Sequence, residues 1–263
     1  TTAVPTRRRS QPNYSKILLV LSRMLLLLAA SFVFPLAVSL FFQDGLWTDY
    51  LLSLGLTLAV AGGGALWCRR ALDLDEQERD LNIREGLLVV GLIWVMLSVF
   101  GALPFRLSGT LLSFTDAVFE SASGFTTTGA TILGGRTAAG LVNPQIEQVA
   151  PSLLFWRSFT HWMGGMGIIV LSIAILPLLG VGGMKLFQAE SSLLISDKFR
   201  PRVRDTAKML WNVYALMTLT LFGLLWLDPS MDWFEAVNHA FSTMATGGFS
   251  TKNASLAGFG SFY

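Results

Sequence analysis

The sequence predicts an all-α polytopic membrane protein in which two leading transmembrane helices are followed by repeats of helix, re-entrant loop and helix. Of 263 residues, 52% are hydrophobic and 14% charged, and a mean hydropathy of +0.57 lies outside the range of water-soluble domains. Five apolar runs are each long enough to cross a hydrocarbon layer of about 30 Å, which takes about 20 helical residues. Two shorter segments, rich in Gly and Thr, recur after such runs and are too short and too polar to cross.

Residues 1–15 form a basic tail. The run 16–42 is too long for the apolar region of a signal peptide and has no small-residue cleavage site after it, so it should stay as a helix. With 47–68 it makes the leading pair, 16–70. These runs are helices because a helix satisfies its own backbone in lipid, and they lack the period-2 alternation of barrel strands. Residues 71–85 carry both charge signs densely and read as a solvated connection. The first repeat, 86–180, contains the span 86–106, a half-helix over 113–121, a loop over 122–126 and the span 152–180. A basic connection, 181–205, leads to the second repeat, 206–263, with a span at 206–227, a half-helix at 232–244 and a loop at 246–250 but no closing span. Pro35, Pro104 and Pro177 fall within or near helix ends, where a kink or stop is tolerated.

Lys and Arg cluster in alternate connections: Arg7, Arg8, Arg9 and Lys16; Arg69, Arg70, Arg79 and Arg84; then Lys185, Lys198, Arg200, Arg202, Arg204 and Lys208. The other connections carry only Arg106, Arg136 and Lys252. By the positive-inside rule the N-terminus is cytoplasmic and both Gly/Thr loops dip in from outside. The segment 198–208 also suits anionic lipid or a regulatory ring. A net charge of +2, distributed between apolar runs, argues against nucleic-acid binding. The single Cys68 rules out an intrachain disulfide framework.

Non-helical backbone at membrane depth is tolerated only where it lines water or is buried in protein. An ion pore needs such backbone, because carbonyl oxygens must replace the ion's hydration shell, and glycine permits the conformations that turn them inward. Ala122, Ser123, Gly124, Phe125 and Thr126 meet this requirement, as do Thr246, Gly247, Gly248, Phe249 and Ser250. The second set reads closely against the Thr-Val-Gly-Tyr-Gly pattern of potassium-channel filters, with Phe249 in the place of tyrosine, so the repeats are of potassium-channel type. The backbone carbonyls of Ser123, Gly124, Gly247 and Gly248 are the candidate K⁺ ligands. Half-helix C-termini aimed at the centre would favour a cation without a carboxylate. Asp116, Glu120 and Glu235 are accordingly read as structural.

Residues 116–131 (DAVFESASGFTTTGAT), Phe155-Trp156-Arg157-Ser158 with Gly164-Gly165-Met166-Gly167-Ile168, and residues 242–251 (STMATGGFST) together give a specific resemblance. The chain resembles the TrkH/TrkG subunits of bacterial Trk potassium uptake systems, in the superfamily of KtrB and plant HKT transporters. That resemblance implies two leading helices and four helix–loop–helix units around one pore, each unit giving one filter glycine, here Gly124 and Gly248. It implies potassium uptake across a bacterial inner membrane with K⁺ as the transported ion and no covalent cofactor or enzymatic step. It also implies a homodimer and a cytoplasmic nucleotide-binding regulatory subunit of the TrkA type. Sodium-preferring plant relatives often carry serine at the first filter glycine, so glycine favours K⁺. With two of four units present, the chain is expected to be part of a longer pore subunit; a half-length chain that dimerises is the other arrangement.

Other readings stand beside these. The run Thr126-Thr127-Thr128-Gly129 has an ordinary turn as one reading, while Thr126 to Thr128 either continue the filter inward or support it from behind on the other. His161 and His239 read as hydrogen-bonded packing residues, with an ion or proton role as the rival. Arg157 either snorkels outward or pairs with a carboxylate such as Glu120. Gly164, Gly165 and Gly167 suit close helix packing, or a hinge; Gly62, Gly63 and Gly64 suit close packing. A membrane sensor or enzyme with ligand-binding outer loops is the rival function, though no catalytic cluster lies near either loop.

Overall fold

The computed structural model describes residues 13–71, 83–136, 140, 142–179 and 203–260. The basic groups Arg7 to Arg9, Arg79 and Lys185 to Arg202, and most of the connections 71–85 and 181–205, lie outside the described residues. Among the described residues the long elements are helices: α1 (Tyr14–Ser31), α2 (Val33–Phe42), α3 (Trp47–Ala71), α4 (Ile83–Gly101), α5 (Leu103–Leu107), α6 (Phe114–Phe125), α7 (Pro151–Leu179), α8 (Val203–Trp226) and α9 (Trp233–Met244). Tyr14–Phe42, Trp47–Cys68, Arg84–Leu107 and Thr206–Trp226 are long and apolar enough to cross a membrane. The 29 residues of α7 extend for about 43 Å at 1.5 Å per residue.

Pro35 and Pro104 act where expected, and Pro177 lies in the last turn of α7, two residues before its end at Leu179. α1 gives way to α2 at Phe32 because Pro35 has no N–H for the carbonyl of Ser31 and its ring crowds that carbonyl. Phe32 N–H turns back to Ala29 O at 3.2 Å, and the ladder resumes with Leu36 N–H on Phe32 O at 3.1 Å. The same happens at Ala102, just before Pro104, where Arg106 N–H reaches Ala102 O at 3.1 Å.

α7 is the organising element, packed against α2, α6, α8 and α9, while α1 lies along α3. Its N-terminus is fixed by Asp44 in the α2–α3 turn, whose Oδ2 accepts from Ser152 N–H at 3.1 Å while Oδ1 accepts from Ser39 Oγ and Leu46 N–H. Trp156 is fully buried, 4.8 Å from the Phe32 ring, and donates Nε1–H to Gly101 O at 3.0 Å. A buried indole needs such a partner. Large apolar side chains face outward, Leu52 and Leu216 among them, as a lipid-facing surface requires.

Two expectations need correction. Of the glycines in α3, only Gly64 approaches a neighbour, the Ser22 side chain; Gly62 and Gly63 face open space. The first half-helix does not stop at residue 121 but runs to Phe125, so Ala122, Ser123, Gly124 and Phe125 are helical and only Thr126 of that set leaves the helix. Gly124 is glycine because a side chain there would collide with Thr160 Oγ1 on α7, not because the backbone turns.

Candidate functional site

The two half-helices are both twelve residues long, preceded by Ser113 and by Asp232, whose side chain accepts from Glu235 N–H at 2.7 Å. They end identically. Thr127 N–H bonds to Gly124 O at 3.1 Å and Thr128 N–H to Ser123 O at 3.0 Å; Thr246 N–H bonds to Thr243 O at 2.9 Å and Gly247 N–H to Ser242 O at 2.8 Å. This is the pair of bonds that closes a helix through a left-handed residue. That residue is a threonine in both units, Thr127 at φ 55° and Thr246 at φ 54°, followed two residues on by Gly129 at φ 74° and Gly248 at φ 87°. Left-handed backbone is unfavourable for a β-branched residue, so the surrounding structure must hold it.

This geometry re-registers the repeat. Thr127-Thr128-Gly129-Ala130-Thr131 corresponds to Thr246-Gly247-Gly248-Phe249-Ser250, and Gly129, not Gly124, is the counterpart of Gly248. The carbonyls of Ser123 and Gly124, expected to face an ion, instead close α6. Thr126 caps the helix, its Oγ1 on Ala122 O at 2.7 Å, and Phe125 packs edge-on to Trp156. Sequence reasoning offered Thr126 to Thr128 as one continuation of the filter but did not place Gly129, Ala130 or Thr131 in it. A Thr-x-Gly-x-Thr/Ser pattern lies at the same distance from both half-helix starts and could have found them.

The loops meet directly: a methyl added to Gly129 would fall on the Gly247 carbonyl. α7 runs behind both, with Thr160 against Gly124, the His161 ring against Gly247 and Gly164 against the Phe125 carbonyl. The Phe249 ring is held between the His161 ring, stacked at 4.0 Å and 17°, and the Arg157 guanidinium at 4.0 Å. Thr246 and Gly248 are exposed on the far side, and a side chain on Gly248 would enter open space.

Arg157 does not snorkel. It is 1% exposed, and its Nε meets Glu120 Oε1 at 2.7 Å. Nη1 donates to Ser250 O and Nη2 to Thr131 Oγ1, both at 3.2 Å. Glu120 also accepts from Thr131 Oγ1 at 2.9 and 3.0 Å and from Ile132 N–H at 2.9 Å. In the second unit the position of Glu120 belongs to His239, whose Nε2 lies 3.0 Å from Ser250 Oγ while Nδ1 lies 2.8 Å from Glu235 O. Because a carbonyl can only accept, Nδ1 carries the proton of the neutral ring, and Nε2 accepts from Ser250. His161 Nδ1 lies 3.2 Å from Ser242 Oγ, and among the described residues no cluster of metal-ligating side chains forms.

At the mouth of the site, Asn253 N–H donates to Glu147 Oε1 at 2.6 Å, and Asn253 Nδ2 donates to Oε2. The Asn253 N–H holds the Glu147 carboxyl below its ordinary range. A depressed pKa means that the tie is present above the ordinary carboxylate range and is lost as pH falls through the folded value. Glu147→Gln is expected to speed Asn253 amide exchange about two- to fivefold at neutral pH, after intrinsic-rate correction. In the parent the same loosening should come only on acidification.

Membrane-length helices enclosing paired half-helix and loop units define a polytopic membrane protein of the re-entrant-loop class. The family model for TrkH, cation transport protein, matches residues 55–263. The chain belongs to this TrkH family. The Trk system potassium uptake protein TrkH of Halomonas elongata is 43% identical over 247 residues, covering 93% of this chain and 48% of that protein. TrkH of Escherichia coli K12 is 40% identical over 251 residues, covering 95% and 48%. The crystal structure of the potassium transporter TrkH from Vibrio parahaemolyticus matches with a TM-score of 0.77 at 35% identity, covering 95% of this chain and 47% of that one. The chain thus spans about half the length of the curated relatives it matches.

Proposed function

We propose that this chain supplies two ion-selecting segments of a potassium-uptake pore in a bacterial inner membrane, Thr127 to Thr131 and Thr246 to Ser250. The observation that carries the reading is the matched pair of strained loops meeting at Gly129 and Gly247, backed by α7 and open on the opposite side. Backbone carbonyls of Thr128, Gly129, Gly247 and Gly248 replace the hydration oxygens of K⁺. The partial negative ends of α6 and α9 favour a cation there. Ser250 serves the filter only from behind, since its carbonyl is taken by Arg157. The N-terminus is cytoplasmic, the loops enter from outside, and the remaining selecting segments come from chain not present here. The complete transporter works as a homodimer with a nucleotide-binding regulatory subunit of the TrkA type.

The test is Gly248→Ser in the complete gene, carried by a strain deficient in potassium uptake. The hydroxymethyl group enters the open space beside the loop and the backbone must hold φ 87° without glycine. The K⁺/Na⁺ preference should fall about tenfold, roughly 1.4 kcal/mol of lost discrimination. Unchanged uptake together with unchanged preference would sink the assignment.

A further inference from the structure

We propose that Arg157, neutralised by Glu120, is the positioning residue that sets the spacing of the two loops and through it the preference for K⁺. The inference rests on the pore reading above. Thr131 and Ser250 occupy equivalent places at the ends of the two loops, and one guanidinium holds both, Thr131 by its hydroxyl and Ser250 by its carbonyl. Within the first unit Glu120 already secures Thr131, and within the second His239 already secures Ser250. The bond from Arg157 to Ser250 therefore adds no hold within a unit; it joins one unit to the other.

Stability alone does not account for the pair. A buried ion pair replaced by apolar residues of similar volume is often as stable or more so. What an apolar pair cannot supply is a rigid fork of donors that reaches two loops at once and covers the Phe249 face. The counter-charge matters as well. A bare guanidinium behind a cation site would repel the ion it helps to bind, and Glu120 at 2.7 Å cancels that field while leaving the two outer donors free for the loops. Carbonyl positions decide which ion is accommodated, so relaxing this link should change selectivity before it changes the fold.

The test uses the complete transporter purified and reconstituted in liposomes, comparing the parent with Arg157→Lys and with the paired Glu120→Gln/Arg157→Gln. The readouts are the yield of monodisperse protein, K⁺ flux per folded protein and the K⁺/Na⁺ permeability ratio. Lysine keeps the charge opposite Glu120 and loses the fork, so Arg157→Lys should keep its yield within about twofold and lose about tenfold in the ratio. A parental ratio in folded Arg157→Lys overturns the proposal. If Arg157→Lys does not fold, the neutral pair decides by the same criterion. If neither folds, the pair belongs to folding alone and the proposal falls. A parent without K⁺ flux would instead refute the pore reading, which keeps the two failures apart.

Discussion

Gly129→Ala should cut K⁺ uptake by at least about a hundredfold while the protein still reaches the membrane, a loss equivalent to roughly 3 kcal/mol. Two costs coincide at this residue. Its φ of 74° is left-handed, where a Cβ costs of order 1–3 kcal/mol. The added methyl would also fall on the Gly247 carbonyl, and a backbone carbonyl cannot swing aside as a side chain can. Relief requires one loop to move off the other, so the damage is concentrated where the two selecting segments meet. Gly124→Ala is the informative comparison, because it meets the Thr160 side chain on α7 and leaves the loop backbone alone. It should lower the yield of folded protein and leave the K⁺/Na⁺ ratio of the surviving fraction at the parental value. Uptake assays and permeability ratios on both variants check this. Folded Gly124→Ala with lost selectivity beside a silent Gly129→Ala would return the filter to residues 122–126.

The location of that boundary shows what the sequence could and could not say. The spans were legible because about 20 apolar residues in lipid have one solution, and Pro35 and Pro104 break their helices for a reason local to the chain. The second loop was legible because Thr246-Gly247-Gly248-Phe249 turns where glycine is needed for backbone freedom. Gly124 misled because glycine has two uses, a left-handed turn and a close approach, and a lone sequence does not separate them. Here the approach is that of Thr160, distant in the chain. The left-handed residues that do end the half-helices are Thr127 and Thr246, a residue type that local preference argues against. Arg157 posed the same problem in another form. Its charge in an apolar span marked it as important, but its partners Glu120, Thr131 and Ser250 come from two units and are joined only by the tertiary fold.

The glycines of α7 allow a hinge to be told from a packing surface by two substitutions three residues apart. Gly164 is buried, and a methyl there would press on the carbonyl, carbonyl carbon and Cα of Phe125. Phe125 is the last residue of α6, so the strain passes straight into the first loop. Overpacking of this kind costs about 1–3 kcal/mol, and contact with backbone puts Gly164→Ala at the upper end. The variant should unfold at a lower temperature in detergent and transport poorly even when folded. Gly167 is exposed, and a methyl there would meet Trp94 at an ordinary 3.6 Å. Alanine in place of a helical glycine is worth up to about 1 kcal/mol, so Gly167→Ala should keep or raise the melting temperature and transport normally. A hinge would give another pattern, since stiffening at either position would slow transport and neither need lower thermal stability. Opposite signs at Gly164 and Gly167 would establish that α7 is rigid behind the loops, which is the condition under which Thr160, His161 and Arg157 can brace them.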